Sequence, residues 1–494
     1  MEFDEYFSAE NVIRVFNSRI KDSNNIGVDG MSAKKFEQHL DEQVDIIVRK
    51  CRKGTYQFTR FKEKLISKGA HSKPRQISIP TIRDAVVLRI LCDFLTKKFS
   101  EQRLKLPYCY IEDIQKILEN PDAGDTFLRL DVKEFYPSID RKILKEKLEL
   151  GKISNTAVNL IIGAVTNQTG FKKPPSIGRD ISWGLSISNI RALINCFIAT
   201  IINRAEIRNS PMGRGIPQGL SISNILASIY FSGTDEKLEL RSGKRYKRYV
   251  DDILFICKAT EYKALYKYTK KLLRSELRLS IHEPDALNAD KSTVRPTYEG
   301  VDYLGFHITD SHLKVRERSH RKVFNSIMNL LTLYTRNYES YPIGRERDRF
   351  RNRIFWKLNL RITGCRFYEK SIGWMFFFRQ TKDMQQINEL DAFVTKILRE
   401  RKLSAYRKQI KKFIRTYHEI LYNRDHTSYI PDFDNSTKEY KIAKIAMLDN
   451  LDDESENYLW HLCDDKIDKR FQNIIEREVQ RMEREIVDFA KGYY

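Results

Sequence analysis

The stretch that most constrains this chain is Arg245 to Cys257, R-Y-K-R-Y-V-D-D-I-L-F-I-C. Both halves are β-prone, and Ile253 to Cys257 is almost wholly apolar, the pattern of a strand buried on both faces. The adjacent acids Asp251 and Asp252 therefore fall at a strand-turn-strand tip. Neighbouring carboxylates there repel each other unless a cation lies between them, and paired hard oxygen ligands are what Mg²⁺ accepts. A solvated Asp-Asp turn gives the same local pattern, so the choice between the two rests on the remainder of the chain.

With 494 residues the chain is long enough for about three or four domains of ordinary size. Lys and Arg exceed Asp and Glu by 22, which points to nucleic acid or an anionic membrane surface. The opening Met1-Glu2-Phe3-Asp4-Glu5 is acidic, and no apolar run approaches the ~18 residues needed to span a bilayer. We therefore expect neither signal peptide nor membrane span, and nucleic acid is the preferred partner. Seven cysteines, at 51, 92, 109, 196, 257, 365 and 463, show no C-x-x-C spacing and read as reduced core residues rather than a disulfide framework or a zinc site.

The charge is uneven. Residues 311–420 carry 26 Lys and Arg against 10 Asp and Glu, and residues 421–494 carry 11 against 17. The basic block also holds Phe355, Trp356, Phe367, Tyr368, Trp374, Phe376, Phe377 and Phe378. Such a mixture suits a surface that neutralises phosphates and stacks bases, or a helical domain with an aromatic core and a solvated basic face.

Along the chain, Gly27 to Ser32 is a glycine-bounded turn able to cap the helix after it. Tyr56 to Pro80 alternates like a hairpin, and Ser67 to Pro80 sets cations on a Gly/Ser-rich loop of the kind that holds a triphosphate or is simply exposed. Thr81 to Phe99 has helical apolar spacing. Phe127 to Asp140 reads as a short apolar strand running into Asp131, with Asp140 capping the following helix. Asp131 opposite the second tip supplies a third carboxylate for a two-metal site. Gly-Leu-Ser-Ile-Ser-Asn-Ile occurs twice, at 184–190 and 219–225, the second copy preceded by Gly213-Arg214-Gly215-Ile216-Pro217-Gln218. That second copy reads as a glycine-rich turn opening a helix, a place that tolerates close approach by a nucleotide. An amphipathic helix over Glu261 to Leu277 and a strand over Tyr303 to Ile308 complete an antiparallel sheet with helices on one face. Beyond residue 310 the pattern is helical almost to the end.

Together these stretches resemble the reverse transcriptases. Tyr249-Val250-Asp251-Asp252 is similar to that family's Y-x-D-D box, Phe127 to Tyr136 to its first palm motif, and Gly215 to Gly219 to its P-Q-G box. Gly27 to Ser32 and Lys73 to Pro80 resemble the finger motifs of the bacterial, intron-like branch, and Val301 to Phe306 its Y/F-L-G-F segment.

The resemblance implies an α+β right-hand polymerase followed by an α-helical C-terminal extension. It gives an N-terminal segment and fingers over 1–125, a palm with a fingers insertion over 126–310, a basic helical thumb-like region over 311–420 and an acidic helical extension over 421–494. It implies RNA-directed DNA polymerase activity on dNTP substrates, with Asp131, Asp251, Asp252 and the Val132 backbone holding two Mg²⁺ ions about 3.5–4 Å apart. Lys68, Lys73 and Arg75 are expected to grip the triphosphate, Tyr136 to exclude ribonucleotides and Gln218 to contact the incoming nucleotide; Lys291 stands where the family's pyrophosphate-protonating lysine could be, and is read instead as an ordinary surface lysine.

Leu358 to Cys365, Gly373 to Phe378 and Leu390-Asp391 are similar to the region after the palm in defence-associated reverse transcriptases of the unknown-group and abortive-infection class, and the length and Tyr493-Tyr494 end resemble its ninth type. Membership implies a cytoplasmic bacterial antiphage protein that copies a noncoding RNA into DNA, homopolymeric in the ninth type, as a trimer or hexamer, with Tyr493 or Tyr494 as protein primer. The alternatives are an intron-like or diversity-generating reverse transcriptase, or a non-catalytic RNA-binding scaffold.

Overall fold

The computed structural model describes residues 3–21, 23, 25–66, 74–119, 124–170, 213–243, 245–284 and 291–486. Two compact units emerge. One comprises Met1–Lys105 with Leu128–Val294, and the other comprises Leu106–Phe127 with the residues from Arg295 onward.

In the first unit, the helices Ala9–Val15, Leu40–Arg52 and Ile82–Lys98 pack around Phe16, Phe36, Ile47, Val86 and Leu91. The glycine-bounded turn does cap its helix: Ser32 accepts from the backbone N–H of Lys35. Asp84 is buried at the start of Ile82–Lys98, where its carboxylate accepts from Tyr56 Oη, Thr81 Oγ1 and the Thr59 N–H, tying the helix to the chain before it. Strands β1 (Lys62–Ile66) and β2 (Arg75–Ile79) form the expected antiparallel hairpin, with Lys62 opposite Ile79 and Ile66 opposite Arg75. A further sheet has the order β4-β5-β3-β6, with β3 Asp125–Asp131, β4 Tyr246–Tyr249, β5 Asp252–Lys258 and β6 Thr293–Pro296. Ile253 to Cys257 is buried without a break, as its apolar run predicts. The helix Tyr262–Leu277 buries Leu265, Thr269, Leu273 and Leu277, one residue every turn.

In the second unit, the strand expected over Tyr303 to Ile308 is two strands. Val301–Tyr303 (β7) and Phe306–Ile308 (β8) pair antiparallel around Leu304-Gly305, and Leu313–Val315 (β9) adds a third. Both loop residues have positive φ, 48° and 88°, which is the two-residue turn that folds a strand back on itself, and the apolar run hid it. The helices Glu317–Asn337, Arg345–Thr363, Met384–Glu400, Phe413–Tyr422, Lys438–Asp449 and Asp464–Ile486 follow, interrupted by a hairpin of β10 (Cys365–Phe367) and β11 (Lys370–Ile372) inside a stretch expected to be helical.

The aromatics of the basic block are core here. Phe355, Phe367, Trp374, Phe376 and Phe378 are buried and only Tyr368 is exposed, so they do not form a stacking platform. Part of the basic surplus is also matched within the unit: Lys357 pairs with Glu478 at 2.6 Å, Arg349 with Glu456 at 2.5 Å and Arg366 with Asp425 at 3.2 Å. The acidic end of the chain is thus in part a counterion to the basic block. Among the described residues no helix is long and apolar enough to cross a membrane.

Candidate active site

Strand β3 sets the first acid. Its side chains alternate, so Leu128 and Leu130 are buried while Arg129 and Asp131 share the other, half-exposed face. The Asp131 N–H donates to Ser292 Oγ at 3.0 Å and its carbonyl accepts from the His282 N–H at 3.0 Å.

The other two acids come from the β4–β5 hairpin, where Tyr249 opposes Asp252 and only Val250 and Asp251 close the turn. Val250 has φ +58°, a conformation that costs a β-branched side chain about 1–2 kcal/mol. Two interactions hold it there. The buried Arg248 donates from Nη1 to the Val250 carbonyl at 2.9 Å while pairing with Asp235 at 2.8 and 2.6 Å, and its guanidinium lies 4.2 Å from the centre of the Phe231 ring. Tyr246 Oη donates to the same Asp235 carboxylate at 2.5 Å. From the β3 side, the Val132 N–H donates to the Asp251 carbonyl at 3.3 Å, which locks the two acid-bearing segments together.

Burial, the repulsion of Asp251 and the repulsion of Asp252 raise the Asp131 carboxyl to about 7, opposed by Arg129 and Lys291. Asp251 is raised by burial and by Asp252, opposed by Arg75 and Arg129. The three expected acids, on two elements 120 residues apart in sequence, are therefore close enough to perturb one another. Asp252 is gripped by Arg129, Nε to Oδ1 at 2.8 Å and Nη2 to Oδ2 at 2.9 Å. In this side-chain arrangement no group of three or more His, Cys, Asp or Glu residues among those described is spaced to hold a metal ion. The donor set fits one chemically: acids driven toward protonation by mutual repulsion are relieved by a divalent cation.

Tyr136 follows the strand and donates from Oη to Asn224 Oδ1 at 2.6 Å; burial and then the charge of Asp251 raise its phenol, opposed by Arg75 and Arg248. Gly215 and Ile216 donate to the carbonyls of Ile139 and Tyr136, so the glycine-rich turn is laid against the segment that carries Tyr136. The Gln218 carbonyl accepts from the Ser78 N–H at 2.7 Å, joining that turn to β2. Close approach there requires Gly219: at φ +98° a Cβ would sit 2.6 Å from Ile77 Cγ2 and 3.2 Å from the Ser78 carbonyl. Asp140 caps its helix as expected, accepting from Lys142 and Ile143, and is paired with Arg278 at 2.7 Å.

Arg75 opens β2, and its charge reaches both Asp251 and Tyr136. Lys291 is exposed, and its charge acts on Asp131 and His282. Lys68, Lys73, the first Gly184-to-Ile190 copy, Tyr493 and Tyr494 lie outside the described residues. Arg129, Arg248, Asn224, Ser292 and His282 were not singled out from sequence. Arg129 was within reach, since period two puts it on the face of Asp131; nothing local marks an inward arginine such as Arg248.

The family described as Reverse transcriptase (RNA-dependent DNA polymerase) matches residues 66–308. No curated protein matches. Solved structures similar to this chain include an apo telomerase from Candida tropicalis truncated from its C-terminal domain, 14% identical, covering 52% of this chain and 55% of that one with a TM-score of 0.35. The chain thus spans about half the length of that telomerase. A telomerase from Candida albicans in complex with a TWJ fragment of telomeric RNA is 16% identical, covering 93% and 68% with a TM-score of 0.35. Residues 66–308 of this chain are thus similar to a reverse transcriptase domain.

Proposed function

We propose that Asp131, Asp251 and Asp252 are the catalytic acids of this domain, holding two Mg²⁺ ions with the Val132 backbone, and that the chain is a cytoplasmic bacterial antiphage reverse transcriptase copying a noncoding RNA. The observation that carries the catalytic reading is the repulsion that raises Asp131 to about 7 beside Asp251 and Asp252, which makes the trio a receptor for divalent cations. Bound there, divalent ions supply charge stabilisation to the attacking hydroxyl and to the departing pyrophosphate. The chain's own contribution is positioning. Arg248 and Asp235 fix the turn that carries Asp251 and Asp252, and Arg129 orients Asp252. Arg75, with Lys68 and Lys73, grips the triphosphate, Tyr136 crowds the sugar 2′ position and Gln218 contacts the incoming nucleotide.

In this reading residues 1–125 and the 126–310 palm form the polymerase with a thumb over 311–420, and residues 421–494 are an extension. The DNA is homopolymeric and started on Tyr493 or Tyr494, in a trimer or hexamer. The lineage part rests on the resemblance of Leu358 to Cys365 and Gly373 to Phe378 to the defence-associated class.

Purification from cells carrying the native flanking DNA, followed by sequencing of bound RNA and of DNA that survives denaturation, tests the assignment. One dominant noncoding RNA with protein-linked DNA is expected; heterogeneous RNA without linked DNA overturns the self-primed defence reading. Asp131→Asn, Asp251→Asn and Asp252→Asn are each expected to abolish primer extension, and retained extension in any of them removes that acid from the site. Replacing Tyr493 and Tyr494 with Phe is expected to remove linked DNA while sparing extension of a supplied primer.

A further inference from the structure

Lys411 and Arg415 meet at the ring of Tyr429 in the second unit, and the charge of Lys444 reaches Lys411. The Lys411 ammonium lies 5.0 Å from the centre of that ring and donates to the Tyr429 carbonyl, and the Arg415 guanidinium lies 4.3 Å from the same ring centre. The Tyr429 ring is itself fixed, its hydroxyl accepting from the Lys412 N–H at 2.6 Å, while the Lys411 N–H donates to Asn359 Oδ1 at 2.8 Å. Lys444 comes from a different helix, Lys438–Asp449, with its ammonium 5.1 Å from the centre of Tyr440.

Carboxylates do not balance this group. Arg415 is paired with Glu419 at 3.4 Å, but among the described residues neither Lys411 nor Lys444 has a carboxylate within ion-pair distance. Asp391, whose charge also acts on Tyr429, accepts with both carboxylate oxygens from the N–H groups of Phe413 and Ile414. Both lysines are half-buried. Burial, then the charges of Arg415 and Lys444, hold the Lys411 ammonium below its usual range, and burial does the same to Lys444. Cations held together, partly desolvated and without a counterion raise the free energy of the free protein. Elsewhere in this unit the same kind of charge is matched: Lys357 has Glu478 and Lys441 has Asp468.

We propose that Lys411, Arg415 and Lys444 form a phosphate-binding site for the backbone of single-stranded RNA. It rests on the reading of the chain as an RNA-copying polymerase and adds a specific anchor, one that joins the basic block to a helix of the acidic extension. Tyr429 offers its ring as a cation-binding wall rather than as a base-stacking surface. Contacts of this kind fix register on the nucleic acid without reading sequence.

The test compares the full-length chain with Lys411→Gln/Lys444→Gln and Lys411→Arg/Lys444→Arg. Kd for a mixed-sequence single-stranded RNA is measured across a salt series, alongside Tm. Losing two phosphate contacts is expected to lower the slope of log Kd against log salt by roughly 1.4 and to weaken binding roughly tenfold at moderate salt. The Gln variant is expected to keep or raise its Tm, because the repulsion is gone, and the Arg variant to keep the slope. An unchanged slope in the Gln variant overturns the proposal, as does equal loss in the Arg variant, which marks a role in packing. Sedimentation with phosphatidylserine vesicles that depends on these lysines, with the RNA slope unchanged, overturns it in favour of a lipid surface. Primer extension by the parent chain separates the two levels: its failure sinks the polymerase reading, whereas an unchanged slope in a chain that extends primers sinks only this site.

Discussion

Arg129 and Asp252, 123 positions apart in sequence, form a two-point ion pair, Nε to Oδ1 at 2.8 Å and Nη2 to Oδ2 at 2.9 Å, with both side chains largely buried. In the metal-free protein this guanidinium is the nearest positive charge to an otherwise wholly acidic trio. Removing it leaves a desolvated carboxylate with two acidic neighbours. Arg129→Met is therefore expected to lose about 3 kcal/mol of folding stability in metal-free buffer. A saturating divalent cation is expected to recover part of that loss. Urea denaturation with and without Mg²⁺ measures both; equal losses under the two conditions would separate Arg129 from the metal-binding role of Asp252.

Tyr136 combines a bulky ring with a hydroxyl spent on Asn224 at 2.6 Å. Tyr136→Ala opens the space and is expected to lower the preference for deoxy- over ribonucleotides by about 10- to 100-fold in single-nucleotide incorporation kinetics. Tyr136→Phe keeps the ring and is expected to keep the preference, losing only about 1 kcal/mol of stability with the hydrogen bond. A Phe variant that accepts ribonucleotides as readily as the Ala variant would shift the exclusion from the ring to the hydroxyl.

The positive φ of Val250 is strain held at the tip that carries Asp251 and Asp252. Glycine adopts that conformation freely, so Val250→Gly is expected to leave the fold as stable as the parent or up to about 1 kcal/mol more stable. The same change frees the tip, and kcat for primer extension is expected to fall while KM for dNTP changes little. Thermal denaturation and steady-state kinetics on one preparation report both; a fall in Tm with intact kcat contradicts the argument.

His320 is buried, with Nε2 3.1 Å from the Gln386 carbonyl and its ring edge-on to Phe324. Burial holds its pKa below the ordinary 6.5, opposed by the Gln386 carbonyl and by Glu389, Asp383 and Glu317. The unfolded chain takes up a proton near pH 6.5 and the folded chain only at lower pH. In that window the unfolded state binds more protons, so stability falls as pH drops below about 6.5 and is insensitive to this group above it. His320→Gln is expected to flatten that slope, read as Tm against pH between about 5 and 8; an unchanged slope assigns the acid sensitivity to other groups.

Gly219→Ala places a methyl group 2.6 Å from Ile77 Cγ2 at a φ of +98°. Both effects oppose the same contact, the Ser78 N–H to Gln218 carbonyl bond. A loss of about 2–3 kcal/mol is expected, with a rise in KM for dNTP as Gln218 moves; denaturation and nucleotide titration check the two parts.

The acid-bearing hairpin and the strand that faces it were legible in local pattern. A short apolar run into an acid marked β3, an unbroken apolar run marked β5, and an Asp pair between β-prone segments leaves few places for a turn. These are local rules, and Asp131, Asp140 and the Ser32 cap all obey them. Where two local patterns coincide, sequence was silent: the run Tyr303 to Ile308 reads as one strand until the positive φ values of Leu304 and Gly305 fold it in two. The aromatics of residues 311–420 looked equally suited to a surface and to a core, and only packing decided for the core. Tertiary structure alone decided which cation meets which acid. Arg129 with Asp252, Arg248 with Asp235 and Lys357 with Glu478 are set by chain segments that meet only on folding, and among the described residues Lys411 and Lys444 meet no carboxylate. Charge pairing depends on distances of a few ångströms across the fold, and hydrophobic periodicity, which governs the elements, holds no information about it.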